Sequence, residues 1–270
     1  MANDPPRSLD RSAFELEFDE AFDRPTLDEG RWVAAYLPHW STPDRSAARY
    51  AIGDGWLRLL IEADQPAWCP ELDGELRVSS IQTAEFAGPV GSAIGGHRFS
   101  EDAVVRSAQV NRSLYTPHYG LIELRCRALD DPRSMVALWM IGVGDTPEHS
   151  GEICVAEIFG RDVGPSGARV GMGIHPFGDL AMVDDFVRVD LAIDVREPHT
   201  YSAAWHPDGV AWYVNDRLVR VVDGSPDYPL QLMLSLYEFP PEDGEVRSRA
   251  EYPKVFEVDW VRGYRPRSIR

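Results

Sequence analysis

Short runs rich in Val, Ile, Leu, Tyr and Trp recur along the chain between clusters of Gly, Pro, Asp and Asn, the punctuation of strands and turns. Helical periodicity is almost absent. The pattern predicts strands over residues 56–62, 119–128, 135–141, 152–159, 187–193, 200–206, 210–214, 218–222, 230–236 and 255–264. Short strands without intervening helices argue an all-β fold, an antiparallel β-sandwich in which two sheets pack face to face. Residues 200–206 and 210–214, joined by Pro207, Asp208 and Gly209, form a hairpin candidate. Residues 1–12 are polar and read as a flexible N-terminal tail, 267–270 as a C-terminal one, and 13–266 as a single domain. Between residues 65 and 96 the pattern weakens into Pro66, Pro70, Gly74, Gly88, Pro89, Gly91, Gly95 and Gly96. A connection of that length is usually functional or mobile, and here it is a candidate border of a binding cleft.

Composition narrows the partners. With 270 residues, 44% of them hydrophobic, the chain can bury one large core. Its 27 basic against 44 acidic residues give a formal charge of −17, which repels nucleic acid and anionic lipid surfaces. Eight Trp and ten Tyr supply aromatic faces on which a neutral, hydroxyl-rich ligand such as a sugar can stack, although many will be core residues. Cys69, Cys126 and Cys154 are too few and too scattered for a disulfide framework or a zinc site of recognisable spacing. The N-terminal stretch lacks the apolar run of a signal peptide, and no later stretch is long and apolar enough for a membrane helix. A soluble monomer is expected, with its compartment undefined.

The chemistry concentrates in residues 151–160, where Glu152 and Glu157 interrupt an otherwise apolar strand. A carboxylate withdrawn from water without partners costs several kcal/mol or moves its pKa upward. In a regular strand, side chains alternate with period two, so Glu152 and Cys154 share one face while Glu157 points to the other. Alternation alone leaves open that both glutamates are ordinary exposed strand residues. A β-bulge near Val155 and Ala156, inserting one extra residue, brings Glu157 onto the face of Glu152. Two carboxyl groups so placed can flank a glycosidic oxygen, one ionised as nucleophile and one protonated as acid.

The segment Glu152-Ile153-Cys154-Val155-Ala156-Glu157 resembles the Glu-x-Asp-x-x-Glu motif of the laminarinase-like members of glycoside hydrolase family 16. Its surroundings resemble the family in order: Tyr119 to Arg125, Val136-Ala137-Leu138-Trp139-Met140, Gly173-Ile174-His175, Trp212-Tyr213-Val214-Asn215 and Val258-Asp259-Trp260-Val261. The resemblance implies a concanavalin A-like jelly roll with a sugar cleft across a concave face. It further implies a retaining endo-glycosidase acting on a β-linked polysaccharide or oligosaccharide, a β-1,3-glucan or a related β-glucan. By position Glu152 becomes the nucleophile and Glu157 the general acid and then base, with Trp139 and His175 lining the substrate site. No cofactor is required for this chemistry, and Asp259 falls where family members hold a structural calcium ion. Two positions depart from the pattern: Cys154 replaces the middle Asp, and Met135-Val136 replaces a Trp-Pro. Because a thiol is a weaker hydrogen-bond donor than a carboxylic acid, a carbohydrate-binding protein with weak or lost catalysis is the alternative.

Overall fold

The computed structural model describes residues 6–241 and 251–267. In chain order its strands are β1 (Phe14–Glu20), β2 (Tyr50–Gly53), β3 (Trp56–Ile61), β4 (Arg77–Gln82), β5 (Ala84–Glu85), β6 (Arg112–Ser113), β7 (Gly120–Arg127), β8 (Ser134–Gly142), β9 (Glu152–Gly164), β10 (Gly167–His175), β11 (Asp185–Leu191), β12 (His199–His206), β13 (Gly209–Val214), β14 (Arg217–Asp223), β15 (Leu230–Glu238) and β16 (Lys254–Pro266). Two antiparallel sheets form the sandwich. One runs β14-β13-β12-β7-β16-β3-β2, with β1 also paired to β16; the other runs β11-β10-β9-β8-β15-β4. Two one-turn helices, α1 (Pro43–Ser46) and α2 (Pro70–Asp73), lie in the connections.

Alternation within each strand builds two apolar layers. Val136, Leu138 and Met140 of β8, Ile153 and Ile158 of β9 and Leu232 and Leu234 of β15 face the other sheet. There they meet Ile122 and Leu124 of β7, Tyr201 and Trp205 of β12, Trp212 of β13 and Phe256 of β16. Each fully buried side chain of this size contributes about 1.5–3 kcal/mol. The intervening residues of β8 and β15, Ala137, Trp139, Ile141, Met233 and Tyr237, point outward and are roofed by Tyr36, Leu37, Trp40, Trp68 and Val105 from the long connections. That roof covers the β8, β15 and β4 side of the six-stranded sheet. Glu157 on β9 and His175 on β10, by contrast, stay partly exposed.

All ten predicted strands are present, and the 200–206/210–214 hairpin closes with His206 opposite Gly209. Three expectations change. The stretch 65–96 is not one irregular connection: it holds α2, β5 and β4, the edge strand of the site-bearing sheet. β4 reads as polar because Ser80 bonds Ser235 at 2.7 Å and Gln82 donates to the Ala84 carbonyl at 2.7 Å, so its buried polar groups are satisfied internally. The N-terminal segment expected to be a flexible tail is docked from Ser8 onward, while residues 1–5 lie outside the described residues. Leu9 N donates to the Asp216 carbonyl, and Arg11 reaches Glu123 at 2.7 Å and Asp216 at 2.6 Å. Glu123 is fully buried on β7, and a buried carboxylate requires such a cation. Arg267, expected in the C-terminal tail, likewise bonds Ala13 and Phe14; residues 268–270 lie outside the described residues.

Candidate active site

The site is built by an irregularity in β9. Its ladder with β8 pairs Trp139 with Cys154 but Leu138 with Ala156, so Val155 is an extra residue. The ladder with β10 shifts at the same place, pairing Gly173 with Cys154 and Gly171 with Glu157. Val155 and Ala156 both face the core, and alternation resumes with Glu157 on the face of Glu152 and Cys154. This is the bulge the two glutamates required. Two features hold it. The indole Nε1 of Trp212, across the sandwich on β13, donates to the Cys154 carbonyl at 2.8 Å. On β10, Gly171 leaves space that a Cβ would lose, since it would lie 2.5 Å from the Phe186 ring and 3.1 Å from Glu157 Cβ.

Cys154 sits between the carboxylates. Its thiol donates to Glu152 Oε1 at 2.8 Å, and Glu157 Oε1 lies 3.5 Å from the same sulfur. The two oxygens are therefore at most about 6.3 Å apart. Glu152 is 5% exposed and Cys154 0%. Burial pushes the Glu152 carboxyl up to about 8; the charge of Glu157 adds to the rise and the thiol hydrogen bond opposes it. Burial also raises Glu157, against the Cys154 thiol and the nearby His175 and Arg188. Cys154 itself is held neutral, its ionisation pushed well up by burial and by both glutamates. Near neutral pH such a pair shares a proton, leaving one group able to donate and one able to attack.

The model of glycosyl hydrolases family 16 matches residues 92–262, which contain the whole bulged strand and both glutamates. The chain belongs to that family. An endo-1,3-1,4-beta-glycanase of Rhizobium meliloti (strain 1021) is 23% identical over 93% of this chain, and a glucan endo-1,3-beta-glucosidase of Niallia circulans is 22% identical over 93%. The chain spans 54% and 38% of the lengths of these two relatives. Among solved structures, an endo-β-galactosidase of Clostridium perfringens that releases GlcNAcα1-4Gal superposes with a TM-score of 0.79 at 26% identity, covering 98% of this chain and 66% of that one. A non-specific endo-β-1,3(4)-glucanase shares the fold with a TM-score of 0.67 at 18% identity, covering 95% and 92%.

Within this family 16 chain, the residues expected at the site fall in three groups. His175 lies opposite Glu152 across the β9/β10 ladder, and one of its ring nitrogens is within 4.8 Å of donor atoms of both Glu152 and Cys154. Trp139 shares the face of the carboxylates and pairs with Cys154. Only 4% of it is exposed, because Trp139 packs in the roofed layer with the His97 ring 5.4 Å away. Asp259 is remote, on β16 of the other sheet, where Arg125 holds it at 2.8 Å. Among the described residues Asp259 joins no cluster of three or more His, Cys, Asp or Glu donors, and a carboxylate already bound to a guanidinium fits poorly the six to eight oxygens that calcium takes. Sequence reasoning missed His97, Phe177, Phe186 and Arg188. His97 contacts Trp139 and Phe177, Phe177 contacts His175, Phe186 stacks on His175 at 4.7 Å, and Arg188 lies 4.4 Å over Phe159 beyond Glu157. None carries a local signal, because loops and a separate strand bring them here. Among the described residues no helix is long and apolar enough to cross a membrane.

Proposed function

We propose that this protein is a retaining endo-glycosidase that cleaves β-linked polysaccharide by double displacement, with β-1,3-glucan or a related β-glucan as its first substrate class. The observation that carries this reading is the bulge that aligns Glu152 and Glu157 on either side of one sulfur. In the resting pocket burial keeps the shared proton on Glu152; for reaction that proton passes to Glu157, so that ionised Glu152 attacks the anomeric carbon while protonated Glu157 gives its proton to the leaving oxygen. Glu157 then takes a proton from the water that releases the glycosyl group from Glu152. The Cys154 thiol, donating to Glu152, favours the ionised form that attack requires. The closeness of the two carboxyl groups favours retention, because inversion needs about 6.5–9.5 Å to admit a water between them and the sugar.

A second substrate reading, a β-galactoside-containing glycan, is favoured by the higher TM-score and identity to the endo-β-galactosidase than to the glucanase. Release of reducing ends from β-1,3-glucan, mixed-linkage glucan and galactose-containing glycans separates the two. Proton NMR of the first product reads the stereochemistry, with the β-anomer expected. Sugar binding without release of reducing ends from any of these would instead support a carbohydrate-binding protein.

A further inference from the structure

The donor set of this pocket differs in kind from a pair of carboxylates. Glu152 supplies oxygen, Cys154 sulfur and His175 nitrogen, and the three donor atoms lie within 4.8 Å of one another. They stand on rigid elements: Glu152 and Cys154 two residues apart on β9, His175 opposite Glu152 on β10. The His175 Nδ1 is bonded at 3.1 Å to Asp184 Oδ2, the carboxylate–imidazole arrangement that orients metal-binding histidines. Glu157 Oε1, 3.5 Å from the sulfur, or a water can complete a tetrahedron.

We infer that Glu152, Cys154 and His175 form a binding site for a thiophilic divalent cation, zinc foremost, lying across the catalytic pair. Zinc bonds of about 2.3 Å to sulfur and about 2.0 Å to nitrogen or oxygen set the donors of this one-sulfur tetrahedron about 3.3–3.5 Å apart. Closure from the present arrangement asks for side-chain shifts of about 1 Å. Sulfur and imidazole select zinc or cobalt(II) over calcium and magnesium, which take oxygen shells. An Asp at residue 154 would offer a harder set, so the preference comes from the cysteine. On binding, the S–H bond breaks, its proton leaves to solvent and a metal–sulfur bond forms, with no change of oxidation state. The bound ion engages the nucleophile and crowds the acid, so it blocks turnover. That consequence rests on the proposed glycosidase reading, whereas the binding does not.

The test uses reduced, EDTA-stripped protein titrated with Co²⁺ under argon and followed by absorption, with no substrate present. One equivalent should give a thiolate-to-cobalt charge-transfer band in the near ultraviolet, which one equivalent of Zn²⁺ abolishes. The band should vanish in Cys154→Ser, checked for folding by circular dichroism. Zinc affinity should fall at least tenfold in His175→Ala and also in Asp184→Asn, which retains the thiol and leaves the strand interior untouched. No band, a band that survives in Cys154→Ser and so belongs to Cys69 or Cys126, or unchanged zinc affinity in both His175→Ala and Asp184→Asn would overturn the site. Inactivity on every glycan, with the band intact, would count against the glycosidase reading alone.

Discussion

Replacing Glu152 by Gln should make the protein more stable at alkaline pH while removing its activity. The Glu152 carboxyl is pushed from an ordinary 4.5 up to about 8 in the folded state. A carboxyl raised in this way favours folding below its unfolded value, and that contribution is lost as pH rises through the folded value. Between roughly pH 5 and 8 each pH unit costs about 1.4 kcal/mol, so this one group removes about 4 kcal/mol across the window. Glutamine carries no such charge and its Oε1 can still accept the Cys154 S–H. For 270 residues, a melting entropy of about 2.1 cal/mol/K per residue converts 4 kcal/mol into about 7 °C. Calorimetry of both proteins in EDTA, at pH 5, 6, 7 and 8, should show nearly equal melting temperatures at pH 5 and an advantage to Glu152→Gln that grows to about 7 °C. His39 and His97, both pushed down to about 4 mainly by burial, act in the opposite sense and lose stabilisation as pH falls below about 6.5. They are common to both proteins and cancel in the difference. A difference that stays flat from pH 5 to 8 would refute a proton held on Glu152.

Cys154→Asp should raise kcat by about tenfold, because a neutral carboxylic acid among ionisable neighbours donates a charge-assisted hydrogen bond to Glu152 worth about 1–1.5 kcal/mol more than a thiol's; identical pH-rate profiles for the two proteins would show the position to be irrelevant. Gly171→Ala drives a Cβ against Phe186 and toward Glu157, so kcat should fall by about tenfold or more with the fold retained, as read by steady-state kinetics beside circular dichroism. Glu157→Ala should lose turnover on polysaccharide, whose leaving oxygen needs the acid, whereas on an activated aryl glycoside, which needs no acid, azide should restore turnover because it needs no base; failure of that rescue would argue against Glu157 as acid/base. Trp212→Phe leaves the Cys154 carbonyl without its indole donor at a cost of about 1–3 kcal/mol, so urea unfolding should register it and kcat should fall more than KM rises.

The parts of the molecule legible in the sequence are those where neighbouring residues carry the signal. β8, β9 and β15 read as strands because every residue of β8 and β15, and the first five residues of β9, are buried. The bulge was legible as a demand: Glu152 and Glu157 five residues apart cannot share a face without it. β10 was indistinct because Gly167, Gly171 and Gly173 dilute its apolar pattern, yet two of those glycines lie opposite Glu157 and Cys154. β1 was missed because four of its seven residues are acidic; its companions Arg262 and Arg265 lie some 240 residues away on β16. Arg11 looked like part of a tail for the same reason, since its partner Glu123 is distant in sequence. His97, Phe177 and Arg188 were illegible in principle, being placed by tertiary packing alone.

The substitution at residue 154 reads differently once the geometry is in hand. From sequence, a thiol in place of an acid looked like a loss, because it is a weaker donor. In the folded site the sulfur is fully buried, lies within hydrogen-bonding range of Glu152 and faces Glu157. A third carboxyl there would add one more group to a pocket already short of water, and would have to stay protonated or repel both neighbours. Neutral Cys154 avoids that cost. It still donates to Glu152, so the proposed double displacement would keep both of its required groups. What it forgoes is the stronger hydrogen bond, and what it introduces is a soft donor beside a histidine and a carboxylate. The same residue is therefore expected to lower the rate, leave the fold intact and make the pocket susceptible to zinc. These separate in one variant series: Cys154→Asp should raise the rate and weaken zinc binding together, whereas Cys154→Ser should weaken only zinc binding.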